Sequence, residues 1–334
     1  MNKKFFIPQV DQFDLISRRR LWYILSLVII IPGTVSFFVR GVNLGIDFKG
    51  GVLQQVTFEK TQVGEQTLRD SLTDLKVKGL SLQTAAGNQV FLRYPQQEGE
   101  ATRDTGNRIL SKLTSAATAK ETAFESIGGS VAKATTISAI WSVVLASLAI
   151  LVFIAWSFRA VPKPASAWRF GTTAIVALLH DLLFVLGMFS LLGIFFPSIE
   201  VDSLFITAIL TVLGFSLNDT IVVYDRIREN LTYNPEQDFE KVANDSLNQT
   251  VVRSLNTSFT VLIVLISLLV LGGESIRNFI LALTLGVGVG TYSSIFTAAP
   301  LLVTWQYWAE RRAAKLALNP PKKKETQKPA PKKK

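Results

Sequence analysis

The chain has 334 residues, 49% hydrophobic and only 18% charged, with mean hydropathy +0.33 and net charge +10. That is too apolar and too weakly charged for an average soluble domain, and the lack of Cys excludes disulfides, thiolate chemistry and Cys-based zinc sites. The single histidine, His180, excludes a multi-His metal centre, and no metal or other cofactor is expected.

Residues 1–20 end in Arg18, Arg19 and Arg20 and read as a cytoplasmic N-terminus. The apolar run over 21–40 is longer than the core of a signal peptide, and no small-x-small cleavage pattern follows it. It is therefore expected to be an uncleaved membrane span. At its exit stands Gly45-Ile46-Asp47-Phe48-Lys49-Gly50-Gly51. A phosphate-cradling loop needs a strand before it and a helix after it. Here a strand follows, so a hinge or tight turn built on Gly45, Asp47, Gly50 and Gly51 is expected instead.

Residues 41–136 carry the rhythm of a folded domain. Val52, Gln54, Val56 and Phe58 alternate with Leu53, Gln55 and Thr57, as in a strand. Leu68, Leu72 and Leu75 recur on one helical face. Leu80, Leu82 and Thr84, a turn at Ala86-Gly87-Asn88, and Val90, Leu92 and Tyr94 predict a hairpin. Ile109, Leu113 and Ala116 mark a second helix, and Thr122 to Ile127 a last strand. The order is β-α-β-β-α-β, which predicts an α+β ferredoxin-like domain.

Five more spans are predicted at about 137–157, 171–195, 203–224, 251–271 and 279–305, making 137–305 the block of transmembrane helices 2–6. Arg159, Lys163 and Arg169 fall between the second and third spans. Arg226, Arg228, Lys241 and Arg253 fall between the fourth and fifth or at their edges. Segment 196–202 has no base and carries Glu200 and Asp202, and 272–278 has only Arg277. The distribution predicts that both termini are cytoplasmic and that 41–136 lies on the far side. Residues 306–334 form a basic tail, Lys/Pro-rich from Leu318 and predicted to be disordered. Ten of the 35 basic residues follow Gln306, and most others flank spans. The charge therefore reads as topology and contact with membrane lipids, not as nucleic-acid binding.

Inside the fourth span sit Asn218 and Asp219. A charged group in hydrocarbon costs at least about 2.5–3.5 kcal/mol on insertion scales, so Asp219 is a functional candidate. Two turns separate it from Arg226, which puts it about 10 Å inside the cytoplasmic face. Arg253 opens the next span at a similar depth. An Asp219–Arg253 pair would lower the cost of both charges, either as a simple lock between helices or as a proton relay. His180 and Asp181, with Asn218, form a possible accessory polar network near mid-membrane; a satisfied packing histidine is the plainer reading. Asp225, Arg226, Arg228, Glu229 and Asn230 cluster at the cytoplasmic surface. Gly286, Gly288 and Gly290 in the sixth span are expected to form a helix-packing face. No nucleophile-with-base arrangement or Walker sequence occurs, so an enzyme is not expected.

NLGIDFKGG after the first span, HDLL in the third, GFSLNDTIVVYDRIREN in the fourth, LNQTVVRSLNTS before the fifth and GTYSSIF in the sixth resemble the SecF side of the SecD/SecF protein-export family, a branch of the proton-driven RND transporters. The resemblance spans roughly residues 10–310. Lys49 stands where Thr or Ser is common in that family, and Tyr224 where Phe is common.

The resemblance implies half of a twelve-span RND plan: six transmembrane helices and one outer domain. The implied partners are SecD, the SecYEG channel and the translocating polypeptide. The implied activity is use of the proton motive force to promote translocation after the ATP-driven stage, with the proton path through Asp219 and Arg253. The implied location is the bacterial-type plasma membrane, or a thylakoid where the source has one. Two rival readings stand beside it: a half-size RND-type exporter of small molecules or lipids, and a structural clamp on a channel with no ion passage.

Overall fold

A computed structural model describes residues 13–59, 65–85, 88–97, 101–116, 118–162 and 165–318. The expected turn residues Ala86 and Gly87, and the tail from Asn319, lie outside the described residues. Helix α1 (Arg19–Arg40) is the first long apolar helix. Residues 13–18 fold back from it onto a later helix. There Asn244 Oδ1 accepts from the N–H groups of Leu15 (2.9 Å) and Ile16 (3.2 Å), and Arg19 pairs with Glu240 at 2.6 Å.

Beyond α1 comes a one-turn helix, α2 (Ile46–Lys49), so the expected turn is helical before it becomes extended. Gly50 and Gly51 follow at φ +74° and +127°, backbone values that a side chain would strain. They lead into β1 (Gly51–Phe58), α3 (Glu65–Thr73), β2 (Ser81–Ala85), β3 (Gln89–Tyr94), α4 (Thr102–Ala116) and β4 (Ala119–Ile127). The sheet is antiparallel throughout, in spatial order β2-β3-β1-β4, which is the ferredoxin-like arrangement.

The alternation in β1 sends Val52, Gln54, Val56 and Phe58 to the side covered by α3 and α4, where Leu68, Leu72, Ile109 and Leu113 are buried against them. Gln54 is a fully buried amide in this core. Its Nε2 donates to the Gly106 carbonyl (3.0 Å) and to Glu121 (2.7 Å), which offsets its desolvation. Leu75 packs on the same core, but from the turn after α3, which ends before Lys76 takes a positive φ.

Gly128 joins β4 directly to α5 (Gly129–Ser157), which therefore starts well before the expected residue 137. Then come α6 (Ala167–Phe195), α7 (Ser203–Tyr233) and α8 (Phe239–Leu271). The α7–α8 hairpin projects past the predicted span limits at 224 and 251. The last membrane element runs from Glu274 as a 3-10 turn, α9 (Arg277–Ser293), a π-helical segment Ser294–Ala298, and α10 (Ala299–Leu318). Pro300 explains the widened turn, because it has no N–H for the carbonyl four residues back. Nearby, the Ala298 carbonyl accepts a hydrogen bond from the buried Tyr224 hydroxyl at 3.2 Å.

Among the described residues six helices are long and apolar enough to cross a bilayer. Helices α6, α7, α9 and α10 make the packed centre, with Phe170, Phe189, Phe205, Tyr224, Ile227 and Val303 buried. Lipid offers no hydrophobic incentive for helices to associate, so close approach at small residues matters more. It is seen where α1 crosses α6: a Cβ on Gly33 would lie 2.9 Å from Gly187 Cα.

Candidate functional site

Asp219 lies on the inner face of α7, 3% exposed. Its Oδ2 accepts from Ser258 Oγ of α8 at 3.2 Å, and Ser258 Oγ accepts from Thr291 Oγ1 of α9 at 2.6 Å. Asp181 of α6 forms a second centre and is fully buried. Its Oδ1 is 3.0 Å from His180 Nδ1, and its Oδ2 accepts from Ser216 of α7 (2.6 Å) and Ser293 of α9 (2.8 Å). Both carboxylates are thus served by hydroxyls from neighbouring helices. A hydroxyl both donates and accepts, so such chains can reverse direction when a proton arrives.

Helices α7 and α9 hold both centres. Ser216 and Asp219 are one turn apart on α7, while Thr291 and Ser293 flank Tyr292 on α9. The approach of α7 to α9 depends on glycine. A side chain on Gly286 would strike Val212, and a Cβ on Gly290 would lie 2.8 Å from Ser216 Cβ. Gly288 departs from the expected packing role: a Cβ there meets nothing within 4 Å. It points away from α7, because the face set by Gly286 and Gly290 has a four-residue repeat.

Two sequence expectations need correction. Asp219 and Arg253 make no direct ion pair; the acid's hydrogen bond comes from Ser258, and the Arg253 charge acts on it only from a distance. Depth was matched, since Asp219 stands as far from the end of α7 as Arg253 does from the start of α8. Rotation was not. Ser254 and Ser258 set the inward face of α8, and Arg253 is five residues from Ser258, about 140° around the helix. It lies exposed on the outer face. Asn218 is likewise exposed on α7 and joins neither centre, so the network holds His180 and Asp181 without it.

The charged cluster from Asp225 to Asn230 braces the α7–α8 hairpin. Asp225 pairs with Arg228 and Arg226 with Glu229, each at 2.6 Å, and Arg226 also bonds Gln249. Asn230 Nδ2 donates to Ser246 Oγ at 2.8 Å. Among the described residues no three His, Asp or Glu side chains converge as a metal set.

At the opposite end, the segment after α1 is fastened to the loop before α7. Val201 N–H donates to Asn43 carbonyl (2.7 Å) and Gly45 N–H to Val201 carbonyl (2.8 Å), a parallel bridge centred on Leu44 and Val201. Asp47 Oδ2 accepts from Ser203 N–H at 2.7 Å, and Asp202 caps its own helix by accepting from Phe205 N–H, also 2.7 Å. Arg93 of β3 adds an ion pair to Glu200 at 3.1 Å. Burial pushes both Glu200 and Asp202 above the usual carboxylate range; Arg93 opposes this at Glu200 and the Phe205 hydrogen bond opposes it at Asp202. The Gly45–Gly51 segment is therefore a fastened joint more than a free hinge. Glu200 and Asp202 carried only a topology signal in the sequence. The partner of Glu200, Arg93, lies far away along the chain, whereas Asp202 caps locally, a role its place just before an apolar run could have signalled.

Six long apolar helices among the described residues, a ferredoxin-like domain inserted after the first of them and buried carboxylates in the bundle define a multi-pass membrane protein with one folded domain between its first two spans. The family model described as protein export membrane protein SecD/SecF, C-terminal, matches residues 108–308, and the SecD/SecF GG motif model matches 35–62. The chain belongs to the SecD/SecF protein-export family. It is 43% identical to the protein translocase subunit SecF of Thermobaculum terrenum over 304 residues, covering 88% of this chain and 94% of that relative. The corresponding subunit of Anaerolinea thermophila is 37% identical over 295 residues, with the same coverages. The crystal structure of SecDF, a translocon-associated membrane protein from Thermus thermophilus, aligns with TM-score 0.77 and 32% identity over 89% of this chain. A SecDF structure in a super-membrane-facing form aligns with TM-score 0.64 and 30% identity over 91%. This chain spans only 39% and 40% of those two solved chains.

Proposed function

We propose that this chain is a subunit of a Sec protein translocase which, with a SecD partner, uses the proton motive force to promote translocation after the ATP-driven stage. The observation that carries the reading is Asp219: an acid buried within a membrane helix, bonded to a serine and free of any ion pair. A carboxylate so placed takes up and releases a proton without first breaking a salt bridge. Each charge moved down the gradient is worth about 2.3 kcal/mol per 100 mV. The relatives' printed description as translocase subunits supports the export role. Both termini are cytoplasmic in this reading, and the ferredoxin-like domain works outside.

The need for a partner is supported by the outer faces of α7 and α8. Asn218, Arg253, Asn256 and Thr257 are all exposed there, within helices apolar enough to span a bilayer. Bare contact with lipid would be costly, and a SecD helix bearing its own acid would meet Arg253. The assembly then includes the SecYEG channel and the emerging polypeptide. An exporter of small molecules or lipids would need an apolar outer pocket. The cleft of about 620 Å³ between sheet and bundle carries Arg93, Glu125, Glu200, Asp202, Glu274 and Arg277, which disfavours that alternative.

The test is Asp219→Asn in membrane vesicles holding the whole translocase, with preprotein export followed with and without a proton gradient. The gradient-dependent part of export is expected to vanish at normal protein levels. Export that stays fully gradient-sensitive in this variant would overturn the relay.

A further inference from the structure

Between α1, α6 and α9 lies a cavity of about 360 Å³, walled by Ser26, Ile29, His180, Phe184, Gly288 and Tyr292 among others. Its surface is mainly apolar, with the hydroxyl residues Ser26, Thr284 and Tyr292 and one titratable ring, that of His180, also lining it. His180 has a side chain only 10% exposed, and its Nε2 is buried with no hydrogen-bond partner among the described residues. The other ring nitrogen, Nδ1, faces Asp181 Oδ1 at 3.0 Å. Ser216 and Ser293 both donate to Asp181 Oδ2, and Oδ1 accepts from His180 in the tautomer that carries its hydrogen on Nδ1. The neutral ring then keeps its lone pair on Nε2. A buried acceptor without a partner is a cost that an apolar side chain of the same size would avoid.

We propose that His180 and Asp181 form a proton-loading site separate from Asp219, in which Nε2 takes a proton from hydronium in the cavity and Asp181 holds the resulting imidazolium through Nδ1–H. The transfer leaves one water behind and changes no other bond. The titratable groups that face the ring are Asp181 on its own helix and Tyr292 on α9, whose ring lies nearly parallel at 6.2 Å. The Tyr292 hydroxyl is engaged by Ser26 Oγ and the Trp22 carbonyl, each at 3.1 Å. Helix α1 presents Ser26 and Ile29 to the cavity and no charge, while α7 reaches the pair only through Ser216. Because Ser216 and Ser293 sit on the helices that hold Asp219 and Thr291, a charge gained at His180 acts on the same two helices as the Asp219 centre. The purpose assigned to the site rests on the proton-driven reading; its existence does not.

One histidine in the whole sequence makes the test direct. The full chain, labelled with [15N]histidine and reconstituted in lipid nanodiscs, gives a single imidazole by NMR. The expected result is an Nδ1–H ring at high pH and a second ring hydrogen, on Nε2, after acidification. Gly288→Val, which projects into open space on the cavity wall, should suppress that second protonation. An Nε2–H ring at high pH, or a ring that never gains a second hydrogen from roughly pH 9 to 4, overturns the proposal. The wild-type titration decides alone if the valine variant misfolds. Repeating it in Asp219→Asn keeps the two readings apart. His180 should still protonate there, and an export defect in that variant beside a silent His180 sinks only the loading site.

Discussion

The carboxylate of Asp47 accepts a 2.7 Å hydrogen bond from the backbone N–H of Ser203, so the exit turn of the first membrane helix caps the start of the fourth. The negative charge also suits the positive end of the α7 dipole. Asp47→Ala is expected to cost about 0.5–2 kcal/mol, as for other lost caps. A lower thermal midpoint, with faster hydrogen exchange confined to the first turn of α7, would register it. Unchanged exchange there would mean that Asp202 caps the helix alone.

The joint should tighten on acidification. Burial raises Glu200 and Asp202 above their unfolded values, so both bind protons more readily in the folded joint. Their contribution is complete below the ordinary carboxylate range and is lost as pH rises through the raised values. Hydrogen exchange over 196–203, corrected for intrinsic rates, should therefore be slower near pH 5 than at neutrality. Glu200→Gln should flatten that difference, and slower exchange at the higher pH would contradict it.

The glycines should separate cleanly by position. Alanine at Gly33, Gly187, Gly286 or Gly290 meets another helix at sub-van-der-Waals distance, and overpacking of this kind costs about 1–3 kcal/mol. Alanine at Gly288 meets nothing and should be neutral or slightly stabilising, since glycine is a poor helix former. Thermal midpoints of the detergent-solubilised chain would rank them.

Arg253 and Ser258 should differ in kind. Arg253→Gln removes an exposed side chain whose charge reaches Asp219 only from a distance, so the isolated chain should change by no more than about 0.5 kcal/mol. Ser258→Ala strips the hydroxyl bonded to Asp219, a type of bond worth about 1.5–3 kcal/mol when the acceptor is charged. The isolated chain should be destabilised by the serine change alone. In the assembled complex, by contrast, the arginine change should weaken association with the partner, read by co-purification.

The elements were legible because each depends on a local rhythm. Alternation at Val52–Phe58 and the long apolar runs record burial residue by residue, and Asp219 and Asp181 stood out as acids within such runs. Rotation was not legible. Position along a helix is linear in sequence, but the side of α8 that faces inward is chosen by how Ser254 and Ser258 pack against its neighbours, and that choice turned Arg253 outward. The Gly33–Gly187 crossing was hidden for a similar reason: each is a lone glycine in an apolar run, and only the meeting of two helices gives it meaning. The Asp47–Ser203 cap joins residues 156 positions apart.

Among the attachments of the outer domain to the bundle are the strand-like splice at Leu44 and Val201, the Asp47 cap, and the Arg93–Glu200 pair. These three converge on the outer tip of one helix. From Ser203, α7 runs without interruption for ~24 Å to Asp219 at 1.5 Å per residue, and then on to the charged hairpin at Tyr233. A helix is stiff along its axis, so a load that tilts the domain arrives at Asp219 as an axial push or pull. The helix behaves as a connecting rod whose outer bearing is a sheet and whose inner stroke is set by a serine.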